Sequence, residues 1–263
     1  MLGLALPLVV GSIILGLAAA ASEEGGGADI GDYEPAWSPD GSAVVFWSDR
    51  DGDGEILVFS SDREGSWDLY LIGSDSKGLR RLTSGRGDDA EPAWSPDGSR
   101  IAFVRYGDTG ADIYVVTPDG SRVTRLTSAP ALEDAPAWSR DGSRIAFVGG
   151  AEQNAEIYVV NADGARRTRL TQNTFYDGFP SWAPDGARIA FDSGRDSDQR
   201  HEEIYVMNAD GSDVRRLTHH SADDYSPSWS PGGRTIVFSS KRTGEYELYV
   251  MDADGTGARP LAP

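Results

Sequence analysis

The stretch EPAWSPDGS, residues 34–42, returns letter for letter at residues 91–99. Near copies follow as APAWSRDGS (135–143), FPSWAPDGA (179–187) and SPSWSPGGR (226–234). Each is a short apolar segment that runs into a turn. In SPDG the proline presets the first turn dihedral, the aspartate bonds its own backbone, and the glycine supplies a positive φ. The same chemistry five times over points to a shared structural need, so the phrase reads as scaffold and not as a single site.

Working outward from it, the five tryptophans Trp37, Trp94, Trp138, Trp182 and Trp229 are spaced by 57, 44, 44 and 47 residues. An apolar strand follows each one, as in RIAFV (100–104 and 144–148) or TIVFS (235–239). A second apolar strand carries Tyr70, Tyr114, Tyr158, Tyr205 or Tyr249, and 12 residues later comes the leucine of a Leu-Thr pair, degenerate in the last copy. Four short strands per ~44 residues with turn signals between them is the arithmetic of a propeller blade. We name the strands of a repeat A (PAW), B (RIAFV), C (DIYVV) and D (TRLT). B and C are apolar at nearly every position, which suits sheets packed on both faces. The expected fold is all-β, a β-propeller of about five four-stranded blades, with six left open. Residues 32–263 form the propeller, 22–31 a linker and 1–21 a separate apolar segment.

Composition bounds the rest. The chain has 263 residues, 32 glycines, 14 prolines and 10% aromatics, a turn-rich balance that favours β structure. Without cysteine, disulfides, thiolate catalysis and cysteine-ligated zinc are excluded. Three histidines, His201, His219 and His220, leave little for a histidine-based triad or metal cage. Net charge is −18, which repels phosphate backbones and favours cations and basic partners. Of 24 basic residues only Lys77 and Lys241 are lysines, an excess of arginine read here as base composition. Residues 2–21 form an apolar run ending in AAAA, followed by Ser22, the pattern of a secretory signal peptide or a retained membrane anchor. Either places the remainder outside the cytoplasm: periplasm, cell surface or secreted.

P-x-W-S-P-D-G-x-x-I-A-F, then I-Y-V-x-x-A-D-G, then R-L-T resembles the TolB-type propeller repeat, over residues 32–263. That repeat occurs in the periplasmic TolB component of the Tol–Pal system. It also occurs in propellers attached to prolyl-oligopeptidase-like enzymes and in polysaccharide-active enzymes. The resemblance is specific for fold and weakly so for function. It implies a propeller module of the cell envelope. TolB carries a separate α/β domain ahead of its propeller, for which residues 22–33 leave no room. No G-x-S-x-G is present to carry a peptidase reading.

Strands in a blade alternate in direction, so the uniform A–B and C–D turns share one face, here the lower. The irregular B–C and D–A connections, with both length changes, share the upper face. Binding concentrates in variable loops on rigid scaffolds, so the upper face is the expected binding face. Three residues before each strand-A proline stand Asp32, Asp89, Glu133, Asp177 and Asp224, with Asp134 beside the third. If strand A is innermost, these carboxylates ring the channel mouth and attract a cation or a basic group. Otherwise they cap loop backbone. Asp49, Asp51 and Asp53 of DRDGDGE (49–55) match the opening of an EF-hand-type loop, so calcium is the candidate cofactor. Position twelve, Ser60, breaks the match, and a solvated turn is the other reading.

FWSDR (46–50) and FSSDR (59–63) are offset by 13 residues, a local duplication that adds the apolar run EILVFSS (55–61). One extra strand breaks blade parity, so this run lies either as an exposed arm over the upper face or buried against the first two blades. The loop 194–203 is charged, and Tyr33, Phe175, Tyr176 and Tyr225 sit near the expected mouth. With no nucleophile–base–acid set in view, the sequence reads as a non-catalytic extracytoplasmic binding or scaffold module. Its partner is an envelope protein or a cell-wall component, with no nucleic acid involved. The alternative is a carbohydrate-active hydrolase or lyase using carboxylates at the mouth.

Overall fold

The computed structural model describes residues 36–37, 44–45, 56–73, 77–108, 110–129, 131–151, 154–195 and 201–261. The apolar segment 1–21, the linker 22–31, Asp32 and the acidic loop with Asp49, Asp51 and Asp53 lie outside them. All regular structure among the described residues is β. Among the described residues four complete blades follow one another, each an antiparallel sheet in the order A-B-C-D. The blades are β6 (Asp88–Trp94), β7 (Ile101–Gly107), β8 (Gly110–Val116) and β9 (Val123–Arg125), then β10 (Leu132–Trp138), β11 (Arg144–Ala151), β12 (Asn154–Asn161) and β13 (Thr168–Arg169). Next come β14 (Asp177–Trp182), β15 (Arg188–Ser193), β16 (Glu203–Asn208) and β17 (Arg215–Arg216), then β18 (Asp224–Trp229), β19 (Thr235–Ser240), β20 (Glu247–Asp252) and β21 (Arg259–Pro260).

The first repeat is divided. β1 (Ala36–Trp37) and β2 (Val44–Val45) form a two-stranded sheet, and β3 (Ile56–Ser61), β4 (Asp68–Gly73) and β5 (Arg80–Arg81) a three-stranded one. The run 55–61 is therefore not an arm. As β3 it takes the B position beside β4, with Phe59 opposite Tyr70 as Phe103 is opposite Tyr114. Val58 is buried against Leu69, Leu71 and the next blade's Ile101 and Phe103. A run apolar at four successive positions gains more from two packed faces than from lying over a loop surface. β1 lies against β18, so the first strand A meets the last one around the ring.

The core is a series of layers between blades. In β11, Ile145 and Phe147 pack on the preceding blade with Ala102, Val104 and Ile113. Ala146 and Val148 pack on the following one with Ile189 and Phe191. This is why strand B reads apolar without alternation: both its faces are buried, large residues toward one neighbour and small toward the other. Burying one such Phe or Ile contributes about 1.5–3 kcal/mol.

The repeated turns form as expected. Gly98 N–H donates to Ser95 O at 2.9 Å, and Gly142, Gly186 and Gly233 repeat the bond. Gly98 has φ +67°, and Asp97 Oδ1 accepts from Ser95 Oγ at 2.6 Å and from the Ser99 amide at 3.1 Å. The C–D turns do the same at Gly120, Gly164, Gly211 and Gly255. They also touch the neighbouring blade: a Cβ on Gly211, at φ +87°, would lie 2.6 Å from Leu170 O. The turn glycine thus serves both its own hairpin and the seam between blades.

Candidate binding face

Asp89, Glu133, Asp177 and Asp224 are all buried, at 0–1% exposure, and each faces an arginine. Asp89 accepts from Arg105 Nε at 2.6 Å and Nη2 at 2.7 Å. Asp177 accepts from Arg195 Nη2 at 2.6 Å, Asn173 Nδ2 at 2.7 Å and Ser193 Oγ at 2.5 Å. Asp224 holds Arg242 Nη2 at 2.8 and 3.0 Å. In the third repeat Gly149 stands where Arg105 stands in the second, and Arg167 reaches in from the C–D side. Arg167 Nη2 lies 2.9 Å from Glu133 Oε1, whose pKa is raised by burial. A Cβ on Gly149 would press to 3.0 Å on Tyr158 and 3.4 Å on Arg167, so the missing side chain makes room for the substitute.

Each guanidinium also lies over the Phe–Tyr pair that joins strands B and C. Arg105 is 4.9 Å from the Tyr114 ring, Arg167 4.1 Å from Tyr158, Arg195 5.2 Å from Tyr205 and Arg242 4.5 Å from Tyr249. The four described carboxylates are thus the anionic ends of carboxylate–guanidinium–aromatic stacks inside their own blades. This is neither a solvated ring nor a loop cap. Among the described residues no three His, Asp or Glu side chains gather as a metal cage.

Arginine has two further recurrent stations, which give its excess over lysine a structural use. In R-L-T, the Nε of Arg81, Arg125, Arg169 and Arg216 donates to the threonine carbonyl two residues on. Nη2 of the same arginines pairs with Asp68, Asp112, Glu156 and Glu203 at the start of strand C. The threonine Oγ1 accepts a strand-C amide at 2.9 Å in the β3–β5 sheet and in the three blades that follow it. Arg100, Arg144 and Arg188 lie over Trp138, Trp182 and Trp229 of the next blade at 4.5–4.8 Å. A planar guanidinium can stack and bond in-plane at once, which an ammonium cannot.

Two residues beyond each strand-A carboxylate the backbone crosses into positive φ without glycine, at Glu91 (+53°), Ala135 (+48°), Phe179 (+46°) and Ser226 (+51°). A β-bulge falls there in every complete blade. The bulge amides link neighbouring blades: Ala135 N donates to Glu91 Oε2 at 2.7 Å, and Ser226 N to Asp192 Oδ2 at 2.8 Å. Sequence reasoning missed these bulges, which carry no glycine. It also missed the arginine partners. Their signal was present as Ser-x-Arg, with the arginine 18 residues after the acid in Asp177–Arg195 and Asp224–Arg242.

Around these stacks the upper face is acidic and aromatic. Tyr176 folds over Gly178, and its pKa is raised well above the ordinary tyrosine value by burial and then by Asp192, Asp134, Glu202 and Glu91. Tyr225, 5.0 Å edge-on from Tyr246, is pushed up to about 12 by burial and then by Tyr246. Burial and then Asp223 raise the pKa of Glu202. His201 Nδ1 stands 3.2 Å from Asp223 Oδ1, while His219 and His220 are exposed. Trp67 on the β3–β4 connection, Leu132 at the start of β10 and Phe175 on the connection into β14 are 46%, 43% and 39% exposed.

The TolB beta propeller domain family matches residues 53–134, 92–200 and 196–262, and the chain belongs to that family. No curated protein matches it significantly. Among solved structures, a protein assigned as TolB from Agrobacterium tumefaciens is 25% identical with a TM-score of 0.69, over 87% of this chain and 79% of that one. TolB from Acinetobacter baumannii is 24% identical with a TM-score of 0.70, over 82% of this chain and 54% of that one. An oligogalacturonate lyase in complex with manganese is 19% identical with a TM-score of 0.63, over 88% of this chain and 65% of that one, a likeness of fold alone. The chain spans about half the length of the Acinetobacter protein.

Proposed function

We propose that this chain is a non-catalytic, extracytoplasmic propeller module of the cell envelope that binds a protein or cell-wall partner through its upper face. One observation carries the reading: Trp67, Leu132 and Phe175 stay exposed on that face among carboxylates and tyrosines. The lower face is built of near-identical tight turns, beside which the aliphatic Leu79, Val123 and Val214 are singly exposed with no aromatic among them. Apolar anchors inside a polar, charged surround are the usual make-up of a docking surface. A net charge of −18 steers basic partners toward it. Calcium at Asp49, Asp51 and Asp53 belongs to the same proposal, as a cation that would tune the face.

The test is capture from the organism's own envelope extract, with calcium and with chelator. Three baits are compared: the full chain, the same chain with Trp67→Ala and Phe175→Ala, and a control carrying Asp119→Asn in a lower turn. A partner retained by the control and lost from the upper-face variant supports the reading. A partner held equally by all three, or new reducing ends on incubation with polysaccharides, would replace it.

A further inference from the structure

The repeats supply five strand-A carboxylates, Asp32, Asp89, Glu133, Asp177 and Asp224, but more arginine stations than these can fill. Asp89, Glu133, Asp177 and Asp224 hold Arg105, Arg167, Arg195 and Arg242. Asp32 stands 18 residues before Arg50, the spacing of Asp177–Arg195 and Asp224–Arg242. The 13-residue duplication then creates one more Ser-x-Arg, Ser61 to Arg63, with no carboxylate of its own.

Arg63 is nevertheless held as its counterparts are. Its Nε donates to Ser61 Oγ at 3.0 Å, as Arg195 does to Ser193 at 3.0 Å and Arg242 to Ser240 at 2.7 Å. Its guanidinium lies 5.1 Å from the Phe59 ring and 4.6 Å from Tyr70. Among the described residues it pairs with no carboxylate. Tyr70, directly beneath, is 2% exposed, and its hydroxyl has no hydrogen-bond partner among the described residues. A guanidinium held over two rings and by one bond leaves its remaining N–H groups for a planar anion. The Tyr70 ring beneath it brings a buried phenol, which also feels the charges of Glu64, Arg81 and Asp68, as the second donor assigned to the site. In every matching station the anion is a carboxylate.

We propose that Arg63 and Tyr70 form a carboxylate-binding site, created by the duplication and filled from outside the β3–β4–β5 sheet. The carboxylate has two sources, Asp32 of this chain or an acidic side chain of a partner. The site does not depend on the upper-face reading above.

The test uses the full chain labelled with ¹⁵N-arginine, the Arg63 Nε–H signal assigned by its loss in Arg63→Lys, and succinate as the probe. The expected result is a saturable shift of the Arg63 signal while the Arg105, Arg195 and Arg242 signals hold still, weakened several-fold by Tyr70→Phe. If Asp32 already fills the site, succinate alone moves nothing. Asp32→Asn then shifts the Arg63 signal and restores the succinate response, which supports the site and names its source. An Arg63 signal that answers neither to succinate nor to Asp32→Asn, alone or combined, overturns the proposal.

Discussion

At the scale of single residues, most of the charge in this protein is used for architecture. Asp224 is fully buried while Arg242 keeps a partial solvent contact, so the carboxylate is the partner that cannot return to water. Asp224→Asn should cost about 3 kcal/mol, because it leaves a guanidinium short of its counter-charge in a packed blade. Urea denaturation of the variant against the parent chain reads this directly. The exposed turn aspartates act differently. Asp97, Asp119 and Asp141 are held down to about 2, first by the Ser95, Thr117 and Ser139 hydroxyls and then by the Ser99, Ser121 and Ser143 amides. A folded-state pKa below the unfolded one stabilises above about pH 4, and that contribution is lost as pH falls toward 2. The triple variant Asp97→Asn, Asp119→Asn, Asp141→Asn keeps an acceptor in each turn but does not titrate. Its melting temperature should therefore fall less than the parent's between pH 4 and pH 2, as scanning calorimetry would record.

At the scale of elements, strand D is two or three residues long and depends on side chains for its place. Thr171 Oγ1 accepts the buried Ile157 amide, so Thr171→Val should cost about 1–3 kcal/mol. Amide exchange should speed up first at Ile157, and a uniform acceleration across all blades would contradict this local account. Gly211 makes the same point for the seams. Gly211→Ala combines φ +87° with a contact of 2.6 Å to Leu170 O, whereas Gly186→Ala at φ +66° meets open space. Both variants carry backbone strain of about 1 kcal/mol or more. Only Gly211→Ala should also shift the resonances of the neighbouring blade's Leu170.

At the scale of the whole molecule, each core layer belongs to two blades, so no blade is complete by itself. Arg144 over Trp182 is one of the contacts that cross a seam, and Arg144→Ala should cost about 1 kcal/mol in unfolding free energy. Charge acts over longer distances. At −18 the folded chain repels itself, so its melting temperature should rise between 20 mM and 500 mM sodium chloride. A fall over that range would mean that screened ion pairs outweigh the repulsion.

The sequence by itself determined the repeat, the strand order within a blade, the turn chemistry and the apolar layers. These are local: a turn needs its Pro, Asp and Gly within four residues, and a strand buried on two faces declares itself by being apolar throughout. The carboxylates before strand A were equally legible, but their surroundings were not. Whether Asp177 faces water or Arg195 depends on a hairpin that brings residues 18 apart to 2.6 Å. Glu133 finds its arginine 34 residues away only because Gly149 leaves the space. The division of the first repeat was decided the same way. Residues 43–46 and 56–59 are near-equivalent B strands by composition, and the pairing of β3 with β4 rests on which one packs against Ile101 and Phe103. Long-range pairing and burial settle these points, because a side chain's partner is set by the neighbours that the fold delivers.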